Sequence, residues 1–298
     1  MLALSCAIPA VAQTSTQVLD VNASATLKHI FDTKTIVMAV RDTAAPFSYN
    51  NGNDQYFGYS VQICEDVIRS LRVDLKLPTL KVVYLPITGA ERVDIMKNRN
   101  ADIECGSTTN TMERAKSVNF SNSFFYSQSY FVGKKGQKIT KFEDLKGLKV
   151  ALPSGTIQDK IVKEKNDSLK LGLQIINYKN AQEAFLAVFN NEADFMSSDD
   201  LLLLDFFNST SGSKDKLQFY DTFAYAANTY GVMLPKDDPE FTKVFNKYLN
   251  EIFKSGKAAS LYEKWLTKPI PPKNNNLNWP LPPELQKLFN APNSEPML

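Results

Sequence analysis

A single histidine, His29, serves all 298 residues, and that scarcity removes whole classes of chemistry. A Ser-His-Asp or Cys-His arrangement would have to use it, and a multi-histidine zinc site cannot be built. No window holds the run of about 18 apolar residues that a membrane-spanning helix needs. Neither sign of charge dominates: 34 basic against 32 acidic side chains leave a net charge of +2. That balance gives no electrostatic ground for nucleic acid as a partner. The glycine-rich phosphate loops of triphosphate- and dinucleotide-binding folds are also missing, which disfavours a nucleotide. What is present is the composition of an ordinary globular protein, 43% hydrophobic and 22% charged. Its length suits one large domain or two of about 120 to 150 residues.

Residues 1–12, MLALSCAIPAVA, carry no charge. They read as the apolar core and small-residue end of a secretory signal, with Ala10-Val11-Ala12 as the cleavage site before Gln13. The mature chain is then exported and keeps two of its three cysteines, Cys64 and Cys105. An exported pair can be a disulfide, and apolar surroundings suit two buried thiols equally well.

The rest alternates strand and helix. Residues 35–40, TIVMAV, form a β-branched apolar run, followed by a helix carrying Val61, Cys64, Ile68 and Leu71 on one face. A strand over 81–85, a helix opened by Thr88 with Glu91 at capping-box spacing, and a strand over 101–105 complete one unit. The pattern restarts after Gly136, with strands over 147–152, 173–178 and 193–197 and helices opening at Thr156 and Asn180. Two such α/β units predict two lobes with mostly parallel sheets and a ligand cleft between them. A last long helix begins at Asp238-Pro239, proline standing at its favoured first position. From Pro269 the chain turns rich in proline and asparagine, which predicts a surface tail without regular helix.

Open α/β sheets bind ligands at the carboxyl ends of their strands, which singles out particular residues. The stretch Cys105 to Arg114 ends a strand at Gly106. It then offers backbone N–H groups, the Ser107 and Thr109 hydroxyls and the Arg114 guanidinium fork, a set suited to a carboxylate; the alternative is a solvated polar loop. Ser154 and Thr156 flank Gly155 at a helix start, which is an anion site or an ordinary cap. Asp199 ends a strand, either facing the cleft to take an ammonium group or capping the helix that follows. Arg41 closes the first strand. Arg92 sits near the positive end of a helix dipole, where a cation is unfavourable unless an anion arrives. The aromatics Phe124, Phe125, Tyr126, Tyr130 and Phe131 read as crossover packing.

Several of these stretches also form a family pattern. Pro46-Phe47-Ser48-Tyr49, Gly58-Tyr59-Ser60, Pro86-Ile87-Thr88, Glu104 to Asn110 with Glu113-Arg114, and Asp144-Leu145-Lys146-Gly147 belong to it. So do Ser154-Gly155-Thr156, Lys236-Asp237-Asp238-Pro239 and Pro269 to Asn274. On these the chain resembles the periplasmic solute-binding proteins of polar amino-acid ABC transporters, family 3.

The resemblance implies a two-lobed type II periplasmic-binding-protein fold, with lobe 1 over 30–133 plus 224–270, lobe 2 over 134–223 and a tail over 271–298. It implies periplasmic localisation, no cofactor, no catalysis, and a permease as membrane partner. It places Arg114, Ser107 and Thr109 on the ligand's α-carboxylate and Asp199 on its ammonium. Arg41 and Arg92 fall on an acidic side chain, with Ser154 and Thr156 on the closing face, so the implied ligand is L-glutamate or L-aspartate. Two positions depart from the pattern: Gly89 stands where a serine is expected, and Ala181 where a histidine is. A dehydratase-type enzyme and a stand-alone sensor use the same fold. For an enzyme, Glu104 would be the general acid or base nearest the cleft.

Overall fold

The apolar run Thr35–Val40 forms the strand that organises the first lobe of the computed structural model, which describes residues 19–272 and 274–296. The signal-like segment 1–12 lies outside the described residues. Thr35–Val40 pairs in parallel with Lys81–Pro86 on one side and Ile103–Glu104 on the other. Antiparallel strands Met233–Pro235 and Val118–Phe120 complete a five-stranded sheet. Helices cover it, as buried parallel strands require. Val61, Cys64, Ile68 and Leu71 of the helix Tyr59–Asp74 are all buried, as their spacing predicts.

Cys64 of that helix is bonded to Cys105, just past the strand Ile103–Glu104. The disulfide alternative is therefore the one the structure adopts, and it pins the helix to the loop that begins at Gly106. The long helix Pro239–Lys254 starts where predicted. The Asp238 carboxylate accepts from the Phe241 N–H at 3.0 Å, and from Ser24 Oγ and the Thr26 N–H, so one cap also anchors the helix Ala25–Thr33.

The second sheet runs in the order Gln174–Tyr178, Lys149–Pro153, Phe195–Asp199, Phe125–Lys134, Leu217–Phe219. The first three are parallel. Phe125–Lys134 is antiparallel to Phe195–Asp199 and also carries Ala226–Tyr230, with Phe125 opposite Tyr230. By hydrogen bonding these two strands belong to the second sheet, so the change of sheet falls near Phe124 and Tyr230, not at residues 133 and 224. The crossing from Val118–Phe120 to Phe125–Lys134 is made by the short stretch 121–124, with a bend at Asn122, and the sequence pattern restarts only at Gly136, past the far end of the long strand. Phe47, Phe125, Tyr230, Tyr59 and Tyr262 pack edge-on and stacked around the crossing, with ring centroids 4.6–6.1 Å apart. The aromatic run is core, as its composition predicts.

The proline-rich tail departs from expectation, for Pro283–Asn290 is a regular helix. Pro282 and Pro283 occupy its N-cap and first position, where a missing N–H costs nothing. Leu285 and Phe289, one turn apart, are buried, and Phe289 stacks on Phe253 at 5.1 Å. The tail is also pinned to the folded body. Tyr49 donates to the Pro271 carbonyl at 2.7 Å, Asn275 to Asp205 at 2.7 Å, and the Ser123 N–H to the Asn293 carbonyl at 2.7 Å.

Candidate ligand-binding cleft

Three parallel strands of each sheet end toward a common gap, and the charged candidates lie at or beyond their carboxyl ends. Arg41 comes one residue after Thr35–Val40, its backbone N–H held by Ser48 Oγ at 2.9 Å. Arg92 opens the helix Arg92–Lys97 beyond the strand Lys81–Pro86. The predicted capping contact exists, with Glu91 Oε2 accepting from the Thr88 N–H at 2.7 Å, though regular helix starts only at Arg92. Arg92 Nε donates to the Gly89 carbonyl at 2.7 Å and Nη1 to Thr108 Oγ1 at 3.0 Å. Arg114 reaches the gap from a short 3-10 turn. Its Nη1 donates to the Thr109 carbonyl at 2.8 Å, and its Nη2 crosses to the Gly155 carbonyl of the other lobe at 3.0 Å.

Asp199 faces these arginines from the second sheet. Its Oδ1 accepts from Gln158 Nε2 at 2.7 Å and Asn228 Nδ2 at 3.0 Å. Its neighbour Asp200 turns the other way, accepting from Ser127 Oγ at 2.7 Å and from the N–H groups of Leu201 and Gln128. Of the two readings of Asp199, the cap is not made, for its side chain bonds no N–H of the following helix and lines the cleft, while Asp200 is the structural anchor. Thr156 caps the helix Ile157–Leu169, accepting from the Asp159 N–H at 3.1 Å and donating to the Pro153 carbonyl at 2.8 Å. It lines the cleft while serving as an ordinary cap.

One cavity is bounded by Arg41, Arg92, Ser107, Thr109, Arg114, Thr156 and Asp199 together. Seven of the eight predicted residues are therefore gathered in one place. Ser154 is not: its N–H donates to the Tyr178 carbonyl and its own carbonyl approaches Gly89, while the preceding residue, Pro153, lines the cavity. Gln158 and Ala181 also line the cavity. Gln158 and Asn228, which hold Asp199, carried no signal in the sequence, since neither belongs to a spacing pattern and they lie far apart in the chain. The two departures sit at the site. A Cβ on Gly89 would lie 2.7 Å from Arg92 Nη2 and 3.4 Å from Arg41 Nη1, so a side chain there would touch both guanidiniums.

Burial and mutual repulsion set the electrostatics. Desolvation first, then the neighbouring Arg92 charge, push Arg41 and Arg114 down to about 9. Arg92 is lowered chiefly by burial. Burial raises the Asp199 carboxyl to about 6 against hydrogen bonds and the Arg92 charge that pull it down. Arg41, Arg92 and Asp199 held out of water, with the half-buried Arg114 beside them, are unfavourable alone, and an ion of complementary pattern offsets that cost. The lobes already touch across the cleft. A Cβ on Gly155 would stand 2.6 Å from Ala90 Cα, and Lys160 pairs with Glu113 from the opposite lobe.

Strand ends from two sheets that converge on one charged, lobe-closed gap define a two-lobed solute-binding protein, and the comparisons with known proteins agree. The chain belongs to the bacterial extracellular solute-binding proteins, family 3, whose profile matches residues 36–268. An L-glutamate/L-aspartate-binding protein of Pseudomonas aeruginosa is 37% identical over 273 residues, 90% of this chain and 88% of that one. A glutamate/aspartate import solute-binding protein of Salmonella typhimurium is 34% identical over 92% of this chain and 90% of its own length. The crystal structure of an ancestral amino-acid-binding protein, described as a precursor of cyclohexadienyl dehydratase, is 26% identical. It superposes with a TM-score of 0.70, covering 81% of this chain and 99% of that one.

Proposed function

We propose that this protein is the periplasmic substrate-binding component of an ABC importer, and that it captures an acidic L-amino acid, glutamate or aspartate. The observation that carries this reading is the convergence of Arg41, Arg92, Arg114 and Asp199 on one cavity. An acidic amino acid brings two carboxylates and one ammonium. A desolvated charge left without a partner costs several kcal/mol, so a cleft for it needs cationic groups at two points and an anion at a third. Arg114 with Ser107 and Thr109 would take the α-carboxylate, Asp199 the ammonium, and Arg41 with Arg92 the side-chain carboxylate. Thr156 would close the second lobe on the ligand, shifting the population toward the form a permease accepts. The names of the two relatives, at 37% and 34% identity, support the same ligand class. Gly89 beside Arg41 and Arg92 offers the ligand no side-chain hydrogen bond, which bears on glutamate against aspartate.

No bond is made or broken in this reading. Glu104, the acid–base candidate for a dehydratase, does not line the cavity and its Oε1 is engaged by Thr108. A thermal-shift screen of the twenty amino acids, followed by calorimetry, tests the proposal. Glutamate or aspartate at a hundred times Kd should stabilise the protein by about 2.7 kcal/mol. Stabilisation by lysine or histidine alone, or turnover of prephenate, would overturn it.

The same titration has a pH signature. The free Asp199 carboxyl titrates near 6, and an ammonium beside it would hold the bound-state value lower. Binding below pH 6 must then release a proton, and affinity should fall by up to about tenfold per unit as the pH drops further. Calorimetry between pH 4.5 and 8 checks this. Affinity that is flat across that range would show that the ligand-free Asp199 carboxyl is not raised into it, and affinity that rises on acidification would remove Asp199 from the ammonium position.

A further inference from the structure

Glu104 lies behind the three arginines. It is fully buried at the end of the strand Ile103–Glu104, between Ala39 and Met233 of the neighbouring strands. Its Oε1 accepts from the Thr108 hydroxyl at 3.0 Å, and the Thr108 oxygen in turn accepts from Arg92 Nη1 at 3.0 Å. Its Oε2 is buried and has no hydrogen-bond partner among the described residues. A half-satisfied carboxylate in the core is costly unless nearby charge offsets it. The offset comes from Arg41, Arg92 and Arg114, each of which feels the Glu104 charge. Gly106 makes the approach possible, because a Cβ there would stand 2.5 Å from Glu104 Oε1 and 3.2 Å from Arg41 Cγ.

This placement changes the charge of the cleft. Three guanidiniums against Asp199 alone leave two positive charges; counting Glu104 leaves one. An acidic amino acid has a net charge of −1 and neutralises the second arrangement. A dicarboxylate without the ammonium, at −2, matches the first. We propose that Glu104 is a specificity-determining positioning residue: through Thr108 it orients Arg92, and as a fixed counter-charge it makes the cleft select an acidic amino acid over a bare dicarboxylate. This rests on the reading of the cleft as an acidic amino-acid site.

Calorimetry of the full chain with L-glutamate and with glutarate, which lacks the ammonium, separates the two. Wild-type protein that binds neither would overturn the functional reading itself. With wild-type glutamate binding in hand, Glu104→Gln should raise the glutarate-to-glutamate affinity ratio by about tenfold, since each removed unit of negative charge favours the dianion more. Thr108→Val removes the hydroxyl that links the Glu104 carboxylate to Arg92, and should move the ratio the same way by less. Both probes share the same carbon chain, so a merely structural role would weaken them alike. An unchanged ratio in the variants that keep the wild-type circular dichroism spectrum overturns the proposal. Failure of both to fold would assign Glu104 to stability alone and overturn it too.

Discussion

Replacing Arg114 by alanine should lower the affinity for an acidic amino acid by about a thousandfold, or about 4 kcal/mol, with the fold intact. Two effects add. The ligand's α-carboxylate loses a guanidinium fork, whose paired charge-assisted bonds are about twice as strong as neutral ones. It also stays desolvated without its counter-charge, which alone costs several kcal/mol. The closed form loses a tie as well, since Arg114 Nη2 is hydrogen-bonded to the Gly155 carbonyl of the second lobe. The fold does not depend on this side chain. It is partly exposed, bonds only to the carbonyls of Thr109 and Gly155, and stands in a cluster where Arg92 and Arg41 repel it. Arg114→Lys should fall between the two, because lysine keeps the charge and loses the planar fork. Calorimetry checks the series. An alanine variant within fivefold of wild type would take Arg114 out of the carboxylate site.

Much of that site was legible because it is built from strand ends, and strand ends are local. The run Thr35–Val40 is apolar and β-branched, so its carboxyl end, and with it Arg41, is readable from the sequence alone. Ser107, Thr109 and Asp199 are legible in the same way. The Asp238-Pro239 and Asn180–Glu183 spacings fixed helix starts by capping chemistry alone, and both starts are observed. Less legible was whatever depends on pairing across the chain. Gln158 and Asn228 meet at Asp199 only once the second sheet forms. The strand Phe125–Lys134 reads as a continuation of the first lobe in sequence, yet it pairs only within the second sheet. Ser154 has the right residue type and spacing, yet it is Pro153 before it, and not Ser154, that lines the cavity. The tail helix Pro283–Asn290 was hidden by composition, since the prolines that forbid a helix before position 282 are the ones that start it there.

Removing the Cys64–Cys105 bond should cost about 4 kcal/mol of stability, or a fall of about 10 °C in Tm for a chain of this size. The bond closes a loop of 41 residues. Cutting it returns to the unfolded chain the conformational freedom that the cross-link had removed, and the loss grows with loop length. Both cysteines are fully buried, so paired alanine replacement adds a small packing penalty in the same direction. Ligand binding should suffer far less. Cys105 immediately precedes Gly106 and Ser107, yet the loop keeps other anchors: the Cys105 N–H on the Ala39 carbonyl at 2.9 Å, and the Thr108 hydroxyl on Glu104 at 3.0 Å. Those hold the carboxylate-binding residues in place while the folded state survives, so affinity at 25 °C should fall by about tenfold or less. Guanidinium unfolding of wild type and the double alanine variant, with calorimetry beside it, checks both halves. Equal unfolding midpoints would show that the cross-link constrains nothing the fold does not already hold. A collapse of affinity at intact stability would show that its work is to set the loop that begins at Gly106.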